Sequence, residues 1–265
     1  MLHFYFEVFI KKYKVMISIN KLSLGLLNDT QSYSNNLKSI EKKEYKLLNL
    51  KDIIQVDFPD NQYMREQTNK KQIVLHHTVS GQGVDGDINW WKQTPDRVAT
   101  AVIVGWDGKI YQCFSTQYWA HHLGCKTTNN TLLNKRSIGI EIDSWGGLVL
   151  NALDGKYYPA IWNGKKNIPN LKVKPIVNVQ LYDKPFRGFS AFEKYTDAQI
   201  EAVRQLLVFW GAKFNIPLTY NSTMFDISNE ALSGKSGIWS HISFRSDKSD
   251  IHPQLELIEM LKSLV

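Results

Sequence analysis

The chain has 265 residues, 43% of them apolar and 22% charged, with a formal net charge of +7. This composition excludes an intrinsically disordered chain, and only two cysteines, Cys113 and Cys125, exclude a disulfide framework or a paired thiolate zinc site. The positive balance favours a polyanionic partner, but no Lys/Arg run is interleaved with aromatics as in nucleic-acid grooves, so nucleic acid is not expected.

The N-terminus reads MLHFYFEVFI before Lys11, Lys12 and Lys14, the reverse of the charge order in a secretory signal, and no signal peptide is expected. No uncharged apolar stretch reaches the roughly 18 to 20 residues that span a bilayer, so no stable membrane insertion is expected either. Residues 1–60 are rich in Lys, Asn, Ser and Leu, with a turn-prone cluster over 28–36 and a mixed-charge run over 40–51. They read as an N-terminal extension or small accessory region ahead of a main domain over 61–265.

From Lys71 the texture changes. Gln72 to Leu75 is an apolar run fit for a buried strand. Ala99 to Val104 and Ile110 to Phe114 flank Asp107-Gly108 and predict a hairpin, and Ser137 to Ile142 is another buried strand. Together these predict a central sheet of at least four strands. Residues 147–194 hold several prolines and glycines and the run Gly164-Lys165-Lys166, with a weak strand signal only at 171–179. A connection of this length predicts a functional loop or small subdomain inserted in the domain.

Thr196-Asp197-Ala198-Gln199 has the form of a capping box, and Ile200, Val203, Leu206, Leu207, Trp210 and Phe214 follow at helical spacing up to Pro217. A second helix is predicted from about Pro253 through Leu264. The fold class is therefore α/β (α+β), a central mixed sheet flanked by helices.

Six of the seven histidines are grouped. His76-His77 ends the first core strand, His121-His122 follows the hairpin, and His241 stands nine residues before Asp250, with His252 just beyond. Imidazoles and carboxylates are the donors that hydrolytic zinc sites use, with three protein ligands and a fourth position for water. Successive strand side chains point to opposite faces, so only one of His76 and His77 can enter a given cleft.

The segment Ile73-Val74-Leu75-His76-His77-Thr78 resembles the opening motif of the N-acetylmuramoyl-L-alanine amidase family, of the phage-lysozyme-like and peptidoglycan-recognition-protein type. Asp107-Gly108-Lys109-Ile110-Tyr111-Gln112 is similar to its hairpin, Ala120-His121-His122-Leu123-Gly124 to its A-W-H-A-G segment, and Asn134 to Glu141 to its N-x-x-S-I-G-I-E strand. The capped helix at Thr196 and the stretch from His241 to Asp250 match in the same order, so the resemblance spans roughly residues 60–265.

The resemblance implies a mixed sheet with packed helices, one Zn2+, and hydrolysis of the amide joining muramic acid to L-alanine in bacterial peptidoglycan. Position by position, it implies His76, His241 and Asp250 as metal ligands and Glu141 as general base. Lys248 falls where the family stabilises the oxyanion, and His122 where a histidine lines the substrate groove. His252 departs from the pattern, where glycine is usual, and is a rival ligand. Ala101 and Thr100 also depart, standing where a histidine and a tyrosine occur in other members.

Trp90, Trp91, Tyr118 and Trp119 are expected to divide between core packing and groove walls. The function expected is that of a phage or prophage endolysin, made in the host cytoplasm and released to the wall, or virion-associated. The alternatives are a bacterial wall-recycling amidase and a non-catalytic peptidoglycan-binding module of the same fold.

Overall fold

The computed structural model of the protein describes residues 7–10, 13–16 and 47–264. The chain divides into two units, Met1–Lys42 and Lys43–Val265. In the first, β1 (Glu7–Ile10) and β2 (Tyr13–Met16) pair antiparallel. The turn-prone cluster over 28–36 and most of the mixed-charge run over 40–51 lie outside the described residues.

The larger unit carries the remaining elements. Its first strands are β3 (Ile54–Gln55), β4 (Gln72–His77), β5 (Val102–Val104), β6 (Ile110–Gln112) and β7 (Ser137–Ile142). They are followed by β8 (Gly147–Asn151), β9 (Lys156–Trp162), β10 (Asn167–Pro169), β11 (Val179–Phe186), β12 (Phe189–Glu193) and β13 (Gly237–Ser240). The helices are α1 (Asp85–Gln93), α2 (Asn130–Arg136), α3 (Asp197–Phe214), α4 (Asn229–Leu232) and α5 (Leu255–Lys262). No helix of the described residues is long and apolar enough to cross a membrane.

Six strands form a mixed sheet in the order β13-β4-β7-β5-β6-β3. β4 runs parallel to both of its neighbours, β13 and β7, and all six of its residues are buried. A strand covered on both faces carries a continuous apolar run rather than an alternation, which is why Ile73 to Leu75 is legible in the sequence. The predicted hairpin forms as β5 and β6, antiparallel across Asp107-Gly108. Gly108 has φ +80°, and a Cβ there would lie 2.7 Å from the carbonyl oxygen of Ala198, so the hairpin tip sits against the start of α3. Residues 54–55, read from the sequence as part of the extension, add the edge strand β3 beside β6, and Phe58 and Tyr63 are buried in the same unit.

α3 begins with both bonds of the capping box between Thr196 and Gln199, and it stops at Asn215, whose φ of 53° breaks the helical path before Pro217. α5 begins at Leu255, two residues later than Pro253, with Gln254 as its cap. Cys113 and Cys125 are both buried and unbridged.

The inserted region is a second sheet. Its strands follow the order β10-β9-β8-β12-β11, with every pairing antiparallel. The strand expected at 171–179 is corrected here: residues 171–178 are turn and irregular backbone carrying one isolated bridge, and β11 starts only at Val179. Prolines obscure the signal: Pro169 and Pro185 fall on the two edge strands, where a missing N–H is best tolerated, and Pro159 interrupts the interior strand β9.

Candidate metal centre and active site

β4 delivers His76 and His77 to opposite faces of the sheet. On the His76 side, Glu141 of β7 is the direct register partner of His76, so both project to the same face. On the other flank Ser240 of β13 pairs with Leu75, which places His241, one residue further on, beside His76. Ser240 and Ser243 make a reciprocal capping box that turns the chain there, and the rings of His76 and His241 lie 4.4 Å apart. Asp250 folds back onto both: its Oδ2 is 2.8 Å from His241 Nδ1 and 3.4 Å from His76 Nδ1. All three residues are buried, and one donor atom from each lies within 4.8 Å of the others.

A buried hydrogen-bond chain fixes which nitrogen of His76 faces this cluster. Ser137 Oγ donates to the Leu133 carbonyl at 2.8 Å, so it accepts from His122 Nε2, also at 2.8 Å. His122 Nδ1 is then an acceptor, and His76 Nε2–H donates to it at 3.0 Å. The Nδ1 lone pair of His76 is thereby aimed at Asp250 and His241. His241 is set in the same way, because its Nε2 donates to the Leu123 carbonyl at 2.9 Å while Nδ1 turns inward. Two imidazole nitrogens and a carboxylate oxygen in a buried pocket make a donor set that fits zinc.

The electrostatics agree with this geometry. Burial alone would raise the Asp250 carboxyl, yet electrostatic attraction and hydrogen bonding to the adjoining His241 and His76 rings hold it well below the usual carboxylate range. Burial and the neighbouring His241 push His76 down to about 4, which keeps it a neutral donor at pH 7. Glu141 moves the other way: burial first, then the negative charges of Asp250 and Asp87, raise its carboxyl well above normal, opposed by Lys248. Lys248 is half-buried, and its positive charge is felt at Glu141, His76 and His77.

Glu141, Lys248, His76, His241 and Asp250, named from the sequence, therefore share one neighbourhood. His122 joins them, but both of its ring nitrogens are engaged within the protein. His252 is not part of the cluster, since its nitrogens bind Tyr182 and Glu193 instead. Trp91 and Trp119 are buried, Trp90 is 58% exposed, and Tyr118 stacks on Tyr63.

The sequence reading missed the residues that hold this histidine chain in place. Asn134 Oδ1 accepts from the backbone N–H groups of His122 and Leu123 at 2.8 and 3.1 Å, and Ser137 ends the chain. Both stand inside the NKRSIGIE segment, but its apolar pattern reports only a strand. Gly139 of the same segment has a steric reason: a Cβ there would lie 2.7 Å from Thr100 Cγ2 and 3.0 Å from His122 Nδ1.

The family profile described as N-acetylmuramoyl-L-alanine amidase matches residues 66–253, a span that holds all of these side chains. The chain belongs to the N-acetylmuramoyl-L-alanine amidase family. It is an enzyme, a hydrolase of that class. Among solved structures, the amidase is similar to PlyL at 16% identity, covering 79% of this chain and 96% of that one, with a TM-score of 0.44. It is also similar to the Staphylococcus aureus hydrolase AmiA in complex with its ligand, at 15% identity over 87% of this chain and 90% of that one (TM-score 0.46). A third likeness is to the N-acetylmuramoyl-L-alanine amidase LysC from Clostridium intestinale, at 15% identity over 73% and 84% (TM-score 0.37). A search of curated proteins finds no match.

Proposed function

We propose that this amidase uses a zinc ion held by His76, His241 and Asp250 to hydrolyse the bond between the lactyl group of N-acetylmuramic acid and L-alanine in bacterial peptidoglycan. The observation that carries this reading is the convergence of two imidazoles and one carboxylate, all buried, with His76 brought from far along the chain to His241 and Asp250. When bound, zinc supplies a Lewis acid that polarises the scissile carbonyl and lowers the pKa of water toward about 7.

The protein's own groups do the rest. Glu141 takes the proton of the attacking water and returns it to the departing amine, a task suited to a carboxyl whose proton affinity is raised. Lys248 opposes the negative charge that develops on the carbonyl oxygen. His122, tied to Ser137, keeps His76 in the donor tautomer. A module that binds without cutting has no need of this full set of groups.

We assign the biological role to a phage or prophage endolysin, acting on the wall after release from the host cytoplasm or as part of a particle. The basic charge supports that role, because residues 147–194 carry eight Lys/Arg against three Asp/Glu and attract an anionic wall.

Chelator-stripped protein given one equivalent of zinc is expected to release new L-alanine amino termini from purified peptidoglycan, with no new reducing sugar ends. New reducing ends, or full activity in the stripped protein, would overturn the proposal.

A further inference from the structure

His252 stands two residues beyond Asp250 and is fully buried, as is Ile251 between them. Its imidazole is enclosed mainly by the inserted sheet and the residues just after it, with the His77 ring of β4 also in reach at 6.3 Å. Phe192 of β12 stacks on one ring face at 4.6 Å and Tyr195 stacks at 4.5 Å. Nε2 lies 3.1 Å from the Glu193 carbonyl, which can only accept, so Nε2 carries the hydrogen. Nδ1 is therefore an acceptor, and the hydroxyl of Tyr182 on β11 donates to it at 2.8 Å.

Tyr195 links the same clamp to the other side of the metal centre. Its hydroxyl is 2.7 Å from His77 Nδ1 and accepts the backbone N–H of His252 at 3.4 Å. His77 is the strand neighbour of His76, and His252 is nearly the neighbour of Asp250. One tyrosine hydroxyl thus joins the chain segments that carry two of the three donors.

We infer that the inserted sheet positions the carboxylate donor: Tyr182, Phe192 and Glu193 clamp His252, and the clamp fixes the loop that carries Asp250. The residue that resembles a competing ligand is the anchor by which an added sheet supports the centre. A carboxylate on a loop has many rotamers and a mobile backbone, and tying the loop down two residues away removes much of that freedom before a cation arrives. Tyr182 is a positioning residue and touches none of the donors.

This inference rests on the metal-site reading above, so the test reads metal affinity rather than peptidoglycan cleavage. The full-length protein is titrated with zinc against a chromophoric chelator as wild type, Tyr182→Phe, His252→Phe and the double variant, with exposed Leu181→Ser as control. Tyr182→Phe keeps the ring and removes one hydroxyl, so it is expected to fold while zinc affinity falls about 10-fold. His252→Phe keeps an aromatic ring between Phe192 and Tyr195 and is expected to lose about 10- to 100-fold. The double variant is expected to be no weaker than His252→Phe alone, because the hydroxyl has lost its partner. Leu181→Ser is expected to bind like wild type. Wild type that takes up no zinc would overturn the metal site and this inference with it. Wild type that binds zinc, with Tyr182→Phe binding equally tightly but melting earlier when metal-free, would overturn the positioning role alone.

Discussion

In the six-stranded sheet every residue of β4 is buried, whereas in the inserted sheet β11 has no fully buried residue and Leu181 is 57% exposed. The parent sheet brings His76 and Glu141 to one face by parallel register alone. The inserted sheet is antiparallel throughout, and two of its buried groups, Phe192 and Glu193, close onto His252. Two different architectures thus support opposite sides of one site. Parallel pairing sets the histidine donors, and the antiparallel addition holds the loop of the carboxylate donor.

Removing the chemistry from the parent sheet is expected to have the largest effect. Glu141→Gln should lower amide hydrolysis about 10²- to 10⁴-fold, read as released amino termini, with zinc affinity little changed. Activity near wild type would detach the raised carboxyl from the reaction.

At the junction of the two sheets, Phe192→Ala should cost about 3 to 5 kcal/mol in urea denaturation, because Phe192 is fully buried against Tyr182, Phe189 and His252. A cost under about 1 kcal/mol, the usual range for a surface site, would show that the inserted sheet packs loosely on its parent.

Asp143 tests the parent sheet through pH. Burial and the nearby negative charges push its carboxyl up to about 6, although Gly83 N–H donates to it at 2.8 Å. The unfolded value is about 3.9, so the folded chain holds an extra proton between roughly pH 4 and 6. Stability therefore falls as pH rises through that window, and the penalty is complete above it. Asp143→Asn should be more stable than wild type by on the order of 2 kcal/mol at pH 8, with the difference closing near pH 4. Denaturation curves at both pH values check the sign, and a constant difference would assign the effect to something other than this proton.

Ser137→Ala removes the end of the histidine chain on the parent side and should weaken zinc binding about 10-fold, matching the effect expected of Tyr182→Phe on the inserted side. Equal losses would show the two supports to be comparable, and a loss in only one would rank them. The smallest effect is expected at Leu181→Ser, within about 0.5 kcal/mol of wild-type stability, since this side chain is mostly in solvent already.

Legibility in the sequence follows the same division. The strands from Gln72 and Ser137, the Asp107-Gly108 turn and the Thr196 cap are encoded locally, by apolar runs, turn chemistry and a reciprocal pair of side-chain bonds. The inserted strands were illegible because their half-exposed residues and prolines carry little periodicity, and their pairing is settled by partners rather than by composition. Glu141 and His76 can each be named as candidates from residue type and strand position, but their adjacency comes from register.

The sequence by itself determined the family, the mixed sheet and the short list of imidazoles and carboxylates, because residue chemistry and local pattern are properties of the chain. Only the tertiary structure decided which of those groups face one another. It alone turned His252 from a rival donor into a clamped anchor and made His122 the partner of His76, because hydrogen-bond direction and burial depend on residues distant in sequence and close in space.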